Sequence, residues 1–294
     1  MIAHNFQFKP LNLSFFSIFP LLPLSPLAQK NQLSLAKLGA IELVVSAMRN
    51  HPRIDGVQEQ GCAALCNLCG HIRENEERVG RAGGVEVVLS AIRARTTTEQ
   101  VTFLEQACWA LASFSTFSSA NRSKIASEGG IEIIVSVMQS HNRHAGILEK
   151  SCAALSNIAL DQKNKDLIAQ VGGITAIVDA MHACNEDFGV QLQGCWALTN
   201  LAVSKGNKTT IANKGGVEHI VQAMVVFSTN ERIQEQGCWA LANLCSGGGT
   251  DDVKACIRRE DGMSAIQAAM NRYTANSIIQ EKGSIATRRL SVHL

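Results

Sequence analysis

Gly194-Cys195-Trp196-Ala197-Leu198-Thr199-Asn200-Leu201 is written again 43 residues later as Gly237-Cys238-Trp239-Ala240-Leu241-Ala242-Asn243-Leu244. An earlier copy reads Gly61-Cys62-Ala63-Ala64-Leu65-Cys66-Asn67-Leu68, and looser copies surround Cys108 and Cys152. The aligned cysteines at 62, 108, 152, 195 and 238 step by 46, 44, 43 and 43. A second marker keeps that beat in Gly83-Gly84, Gly129-Gly130, Gly172-Gly173 and Gly215-Gly216, with degenerate copies at Gly39-Ala40 and Asp261-Gly262. Self-similarity at such a period marks an array of stacked units, each too small to bury its own apolar face. Six units of 43–47 residues are expected, at 31–73, 74–120, 121–163, 164–206, 207–250 and 251–294.

Within a unit the pattern predicts three helices. The first, as in Asn164 to Val171, opens on an asparagine suited to cap it and stops at the glycine pair, which can turn the chain sharply. The second runs Ile174 to His182, with Ile174, Ile177, Val178 and Met181 on one face. The third runs from Val190 to Ala202, with Cys195, Leu198 and Leu201 facing the core.

Composition agrees with an all-helical body. Of the five prolines, Pro10, Pro20, Pro23 and Pro26 precede Leu27, and only Pro52 follows. Proline breaks helix interiors, so its near-absence over the remainder favours helix throughout. Hydrophobic residues at 46% and charged residues at 18% describe a chain able to fold. A net charge of +2 excludes a nucleic-acid binder that works by bulk electrostatics. Residues 1–29 are a separate material: an apolar leader holding five of the ten phenylalanines and a single charge, Lys9. It reads as sequence loosely attached to the array of 30–294; a targeting segment with its apolar run at Leu11 to Ala28 is the second reading. The ten cysteines sit in apolar helical stretches, which suits reduced, buried thiols and a cytoplasmic or nuclear setting.

The period, the short–long–long helix order, the glycine corner and the Trp-Ala-Leu-x-Asn-Leu third helix resemble armadillo repeats. HEAT repeats have two helices per unit and lack that corner. The resemblance covers about nine tenths of the chain and implies an all-α, right-handed armadillo-type solenoid whose third helices line a concave groove. Solenoid ends need polar caps; repeat sequence opens directly at Asn31 and the pattern fades at Gly283-Ser284-Ile285-Ala286-Thr287. That leads us to expect a piece of a longer array.

The candidate site lies on those third helices. Marking the residues one and five after each cysteine gives Ala63 and Asn67, Trp109 and Ser113, Ala153 and Asn157, Trp196 and Asn200, Trp239 and Asn243. A spacing of four puts each pair on one helix face, offset from the core face. Glu59, Glu105, Glu149 and Glu235 extend the stripe by one turn, with Leu192 in the fourth unit. Asparagine amides can hydrogen-bond an extended peptide's backbone, tryptophans offer an apolar and π floor to Lys or Arg, and carboxylates favour those cations. The Trp-x-x-x-Asn pairing resembles the peptide groove of the importin-α nuclear-import adaptors. Only the pairs Trp196/Asn200 and Trp239/Asn243 are complete. The same residues also admit a structural reading, with asparagines bonding neighbouring backbone and tryptophans packing on the next unit.

Other motifs read as architecture. Cys62, Cys66 and Cys69 fall on one helix face with no second pair to complete a zinc site. His141 and His144, like His51 and His182, sit near helix C-termini. Gly247-Gly248-Gly249 lacks the lysine of a phosphate loop, and Ile2 stands where N-myristoylation needs glycine. No nucleophile–base arrangement stands out, so no enzyme, cofactor or metal is expected. The expected partners are proteins or peptide segments, not nucleic acid, small-molecule substrates or membranes. The runner-up is an architectural segment of a larger signalling or transport protein, an import adaptor included, with no ligand in this groove.

Overall fold

The computed structural model describes residues 26–95, 100–247 and 251–291. Among them are eighteen helices in six triplets. First helices are α1 (Pro26–Lys37), α4 (Arg73–Ala82), α7 (Ser119–Ser127), α10 (Gln162–Gln170), α13 (Lys205–Asn213) and α16 (Asp251–Arg259). Second helices are α2 (Ala40–Asn50), α5 (Gly84–Arg93), α8 (Gly130–Ser140), α11 (Gly173–Ala183), α14 (Gly216–Val226) and α17 (Gly262–Arg272). Third helices are α3 (Asp55–Cys69), α6 (Val101–Phe114), α9 (Ala145–Ile158), α12 (Phe188–Leu201), α15 (Glu231–Leu244) and α18 (Ser277–Ser291).

Each third helix packs on the next along the whole array, more closely than the helices of the other two rows do. The predicted core face is the buried one: Cys195, Leu198 and Leu201 have no exposed surface, nor do Cys62, Cys108, Cys152 and Cys238. In α18 the repeat's residue types fade while its period survives, with Ile279, Gly283, Ala286 and Leu290 buried. Most of the leader lies outside the described residues, including its apolar run up to residue 25. Residues 26–29 belong to α1, so helix begins four residues before the expected array boundary at 30.

The glycine pair divides two tasks between its members. Gly172 holds φ +83, where a side chain would meet nothing nearby but the backbone is left-handed. Gly173 lies against the preceding helix, where an added Cβ would stand 2.6 Å from Ile168 Cγ2 and 2.8 Å from its carbonyl oxygen. Only the sixth corner uses another residue, Asp261 at φ 58. Gly172→Ala therefore isolates the backbone cost, and should lower stability in urea by about 1 kcal/mol. An unchanged midpoint would mean that the corner does not require left-handed backbone.

The asparagines at the unit starts are not caps. Ser118, Asp161 and Ser204 occupy the N-cap positions, and Asn121, Asn164 and Asn207 sit three residues inside their helices, buried. Asn121 Nδ2 donates to the carbonyls of Phe114 and Glu76, both at 2.8 Å. Asn164 donates to Ile158 O at 3.1 Å, and Asn207 to Leu201 O at 3.3 Å and Lys165 O at 3.2 Å. Asn75 does the same for Leu68 O at 2.7 Å in the second unit. A third helix ends in the interior against the next unit, where its last carbonyls have no water, so a buried donor is worth more than a cap.

Candidate functional site

The three tryptophans follow the buried cysteines of α6, α12 and α15 and share one side of the third-helix row. Trp196 is 38% exposed and Trp239 37%, whereas Trp109 is half-buried against the core. Half-buried Ala63 and Ala153 hold the equivalent places on α3 and α9. This face is turned away from the cysteine–leucine core, as the helical spacing requires.

The asparagines tie neighbouring units together. Asn157 Nδ2 donates to Ala112 O at 2.9 Å and Thr116 Oγ1 at 3.3 Å. Asn200 Nδ2 donates to Ser156 O at 3.0 Å and Oγ at 3.2 Å, and Asn243 Nδ2 to Thr199 O at 3.0 Å. The carbonyl acceptors, Ala112, Ser156 and Thr199, lie in the last turn of the preceding third helix, where carbonyls lack intrahelical partners. Asn157 and Asn200 thus spend their amide hydrogens inside the array and keep the Oδ1 acceptor for anything outside it. In the first unit the carbonyl of Asn67 accepts from Gln32 Nε2 of α1 at 2.7 Å, a bond within its own unit.

The carboxylates are aimed along the array. Glu59 Oε2 accepts from Thr102 Oγ1 at 3.0 Å, and Glu235 Oε1 from Asn276 Nδ2 at 2.6 Å. Glu105 lies against Gly146 in the first turn of α9, and Glu149 against Gly189 in the first turn of α12. Each acid faces the start of the next third helix, where the helix dipole favours negative charge.

Two groove residues escaped the sequence reading. Lys150 Nζ lies over the Trp109 ring, 5.2 Å from its centroid, and Lys282 Nζ over the Trp239 ring at 5.0 Å. Each comes from the unit after its tryptophan and is paired with the preceding glutamate, Lys150 with Glu149 at 2.9 Å and Lys282 with Glu281 at 2.7 Å. Both stand two residues before the cysteine position, a register otherwise filled by Gln60, Gln106, Gln193 and Gln236. A second omission is structural. Gln58, Gln191, Gln234 and Gln280 each donate to two carbonyls at the end of the second helix of their own unit, as Gln191 does to Met181 O at 2.7 Å and Cys184 O at 3.0 Å. The signal was a glutamine recurring three residues before glycine.

Cys62, Cys66 and Cys69 are buried in α3, as a core reading requires. Burial pushes the Cys66 thiol up to about 12, partly offset by Ser113, whose Oγ lies 2.9 Å from its sulfur. Burial likewise holds Cys108 at about 11, so these thiols are poor nucleophiles. His141 caps α8, its Nδ1 3.2 Å from Val137 O. Among the described residues no helix is long and apolar enough to cross a membrane.

Two protein families match this chain. The family described as LRRK2 ARM repeat matches residues 33–172, and the Armadillo/beta-catenin-like repeat matches 161–203 and 204–246. Protein aardvark of Dictyostelium discoideum is 37% identical over 67 residues, 20% of this chain and only 9% of that protein's length. Among solved structures, an engineered protein superposes with a TM-score of 0.75 at 24% identity, covering 89% of this chain and 60% of its own. A designed armadillo repeat protein in complex with the peptide (KR)4 gives 0.69 at 17% identity, over 85% of this chain and 99% of the other. A structure from work on a phosphorylation switch in the cadherin–β-catenin interaction gives 0.72 at 17% identity, over 88% of this chain and 48% of the other. At these identities the structural likeness speaks for the fold.

Proposed function

Because the chain belongs to the armadillo-repeat proteins, we propose that it is a protein-interaction module that binds an extended, basic peptide segment along the face of its third helices. The observation that carries this reading is the pair of lysines stacked on Trp109 and Trp239 beside glutamates. They are internal examples of the contact that a ligand's Lys or Arg would make. Glu59, Glu105 and Glu235 add negative charge along the same lane. The designed relative's complex with (KR)4 supports the charge preference. Ten unpaired cysteines support a cytoplasmic or nuclear setting.

Titrating labelled (KR)4 against the wild type and Trp196→Ala tests the reading. Truncating an anchoring tryptophan should cost about 2 kcal/mol, or roughly thirtyfold in affinity. Equal affinities would remove the tryptophan from the site. The asparagine ladder favours a second reading, a purely architectural segment of a larger protein, because those amides already serve the array. No saturable binding of (KR)4 or of any other peptide to this face would decide for it.

A further inference from the structure

The three tryptophans are not equivalent. The register two residues before the cysteine position supplies the side chain that meets the tryptophan of the preceding unit. Lys150 meets Trp109 that way, and Lys282 meets Trp239. For Trp196 the corresponding residue is Gln236. Its carbonyl accepts from Thr199 Oγ1 at 3.2 Å, which fixes it against α12 less than one turn from Trp196. Its side-chain Oε1 is buried without a hydrogen-bond partner. Among the described residues no cation lies over Trp196, although that ring is exposed.

Resting on the function proposed above, we infer that Lys150 and Lys282 close two of the three cation positions and that Trp196, with Gln236, receives the ligand's single obligatory Lys or Arg. An incoming cation at Trp239 must first displace Lys282 from the ring, exchanging one cation–π contact for another with no net gain. At Trp196 it displaces only solvent from an exposed ring that no cation among the described residues covers, beside a neutral glutamine. Adjacent third helices lie ~10 Å apart, about three residues of extended chain. The ligand class is therefore an extended segment with one basic anchor, disfavouring a second basic residue three positions away where Lys282 stands. Lys150, Gln236 and Lys282 set the register of binding.

Fluorescence anisotropy on the full chain can test this with labelled nine-residue Ala/Ser peptides, one with a central Arg and one with a second Arg three residues away. Gln236→Lys and Lys282→Gln exchange residues that the chain already uses in that register, and circular dichroism checks that each folds. Gln236→Lys should weaken the single-Arg peptide about tenfold. Lys282→Gln should tighten the double-Arg peptide about fivefold, and the single-Arg peptide by no more than the roughly twofold gain that a second equivalent anchor gives. Lys163→Gln, at an exposed position of α10, removes the same charge elsewhere and should tighten neither. If Gln236→Lys does not fold, the Lys282→Gln comparison alone decides. Binding that ignores both groove substitutions, or an equal gain from Lys163→Gln, overturns the assignment of Trp196. Failure of wild type and Lys282→Gln alike to bind either peptide overturns the groove reading beneath it.

Discussion

Asn121→Ala will destabilise the array by about 3 kcal/mol, read as a lowered urea midpoint, although the residue touches no ligand face. Its amide is buried at the junction of three helices, bonding Phe114 O at the end of α6 and Glu76 O within α4. The Glu76 carbonyl lies mid-helix, but Phe114 O is one of the terminal acceptors that α6 cannot satisfy itself. Truncation removes two short bonds and leaves a buried acceptor unpaired, a loss of 1–3 kcal/mol beyond the bonds themselves by the usual order of magnitude. The chain around it has been shaped to fit: at Gly80, an added Cβ would overlap Asn121 Oδ1. Asn164→Ala, which removes a single 3.1 Å bond, should cost about half as much. A midpoint for Asn121→Ala equal to the wild type would show that these carbonyls find other donors.

The repeat period and core face could be read in advance because both are periodic properties of one strand of text. Cys195, Leu198 and Leu201 had to share a face whatever surrounded them. Asn121, Asn164 and Asn207 could not be read that way. An asparagine at a helix start caps an exposed helix and plugs a buried one, and only the packing of the preceding unit distinguishes the two. The tryptophan stripe was legible as a face, and the structure places Trp196 and Trp239 on the exposed side of their helices. The stacking of Lys150 and Lys282 was not, because each lysine meets a tryptophan one unit earlier and the pairing exists only after the units stack. The asparagine ladder changes what the face can offer. Amide hydrogens that a ligand's backbone would need instead hold carbonyls of the preceding third helix.

Raising the pH from about 5 to about 8.5 will destabilise the wild type, and Glu76→Gln will remove most of that fall. Glu76 is fully buried on α4, its Oε2 accepting from the backbone N–H groups of Phe117 at 2.8 Å and Ser118 at 3.1 Å. Its Oε1 is buried without a partner. Burial dominates and pushes the carboxyl up to about 7 from its ordinary 4.5, against the two N–H bonds and the charges of Arg122 and Arg73. In the unfolded chain the group titrates near the ordinary value. Between those two pKa values the folded state keeps a proton that the unfolded state has released, so protonation favours folding. The stabilisation is complete below the unfolded pKa and is lost as pH rises through the folded one. At about 1.4 kcal/mol per pH unit the loss approaches 3 kcal/mol by pH 8.5. Glutamine keeps a carbonyl for the two N–H groups and carries no charge to bury. Glu76→Gln should therefore melt at a higher temperature than the wild type at pH 8.5, and near it at pH 5. Parallel melting profiles across that range would place the pH dependence in other groups and show that Glu76 stays ionised in the fold.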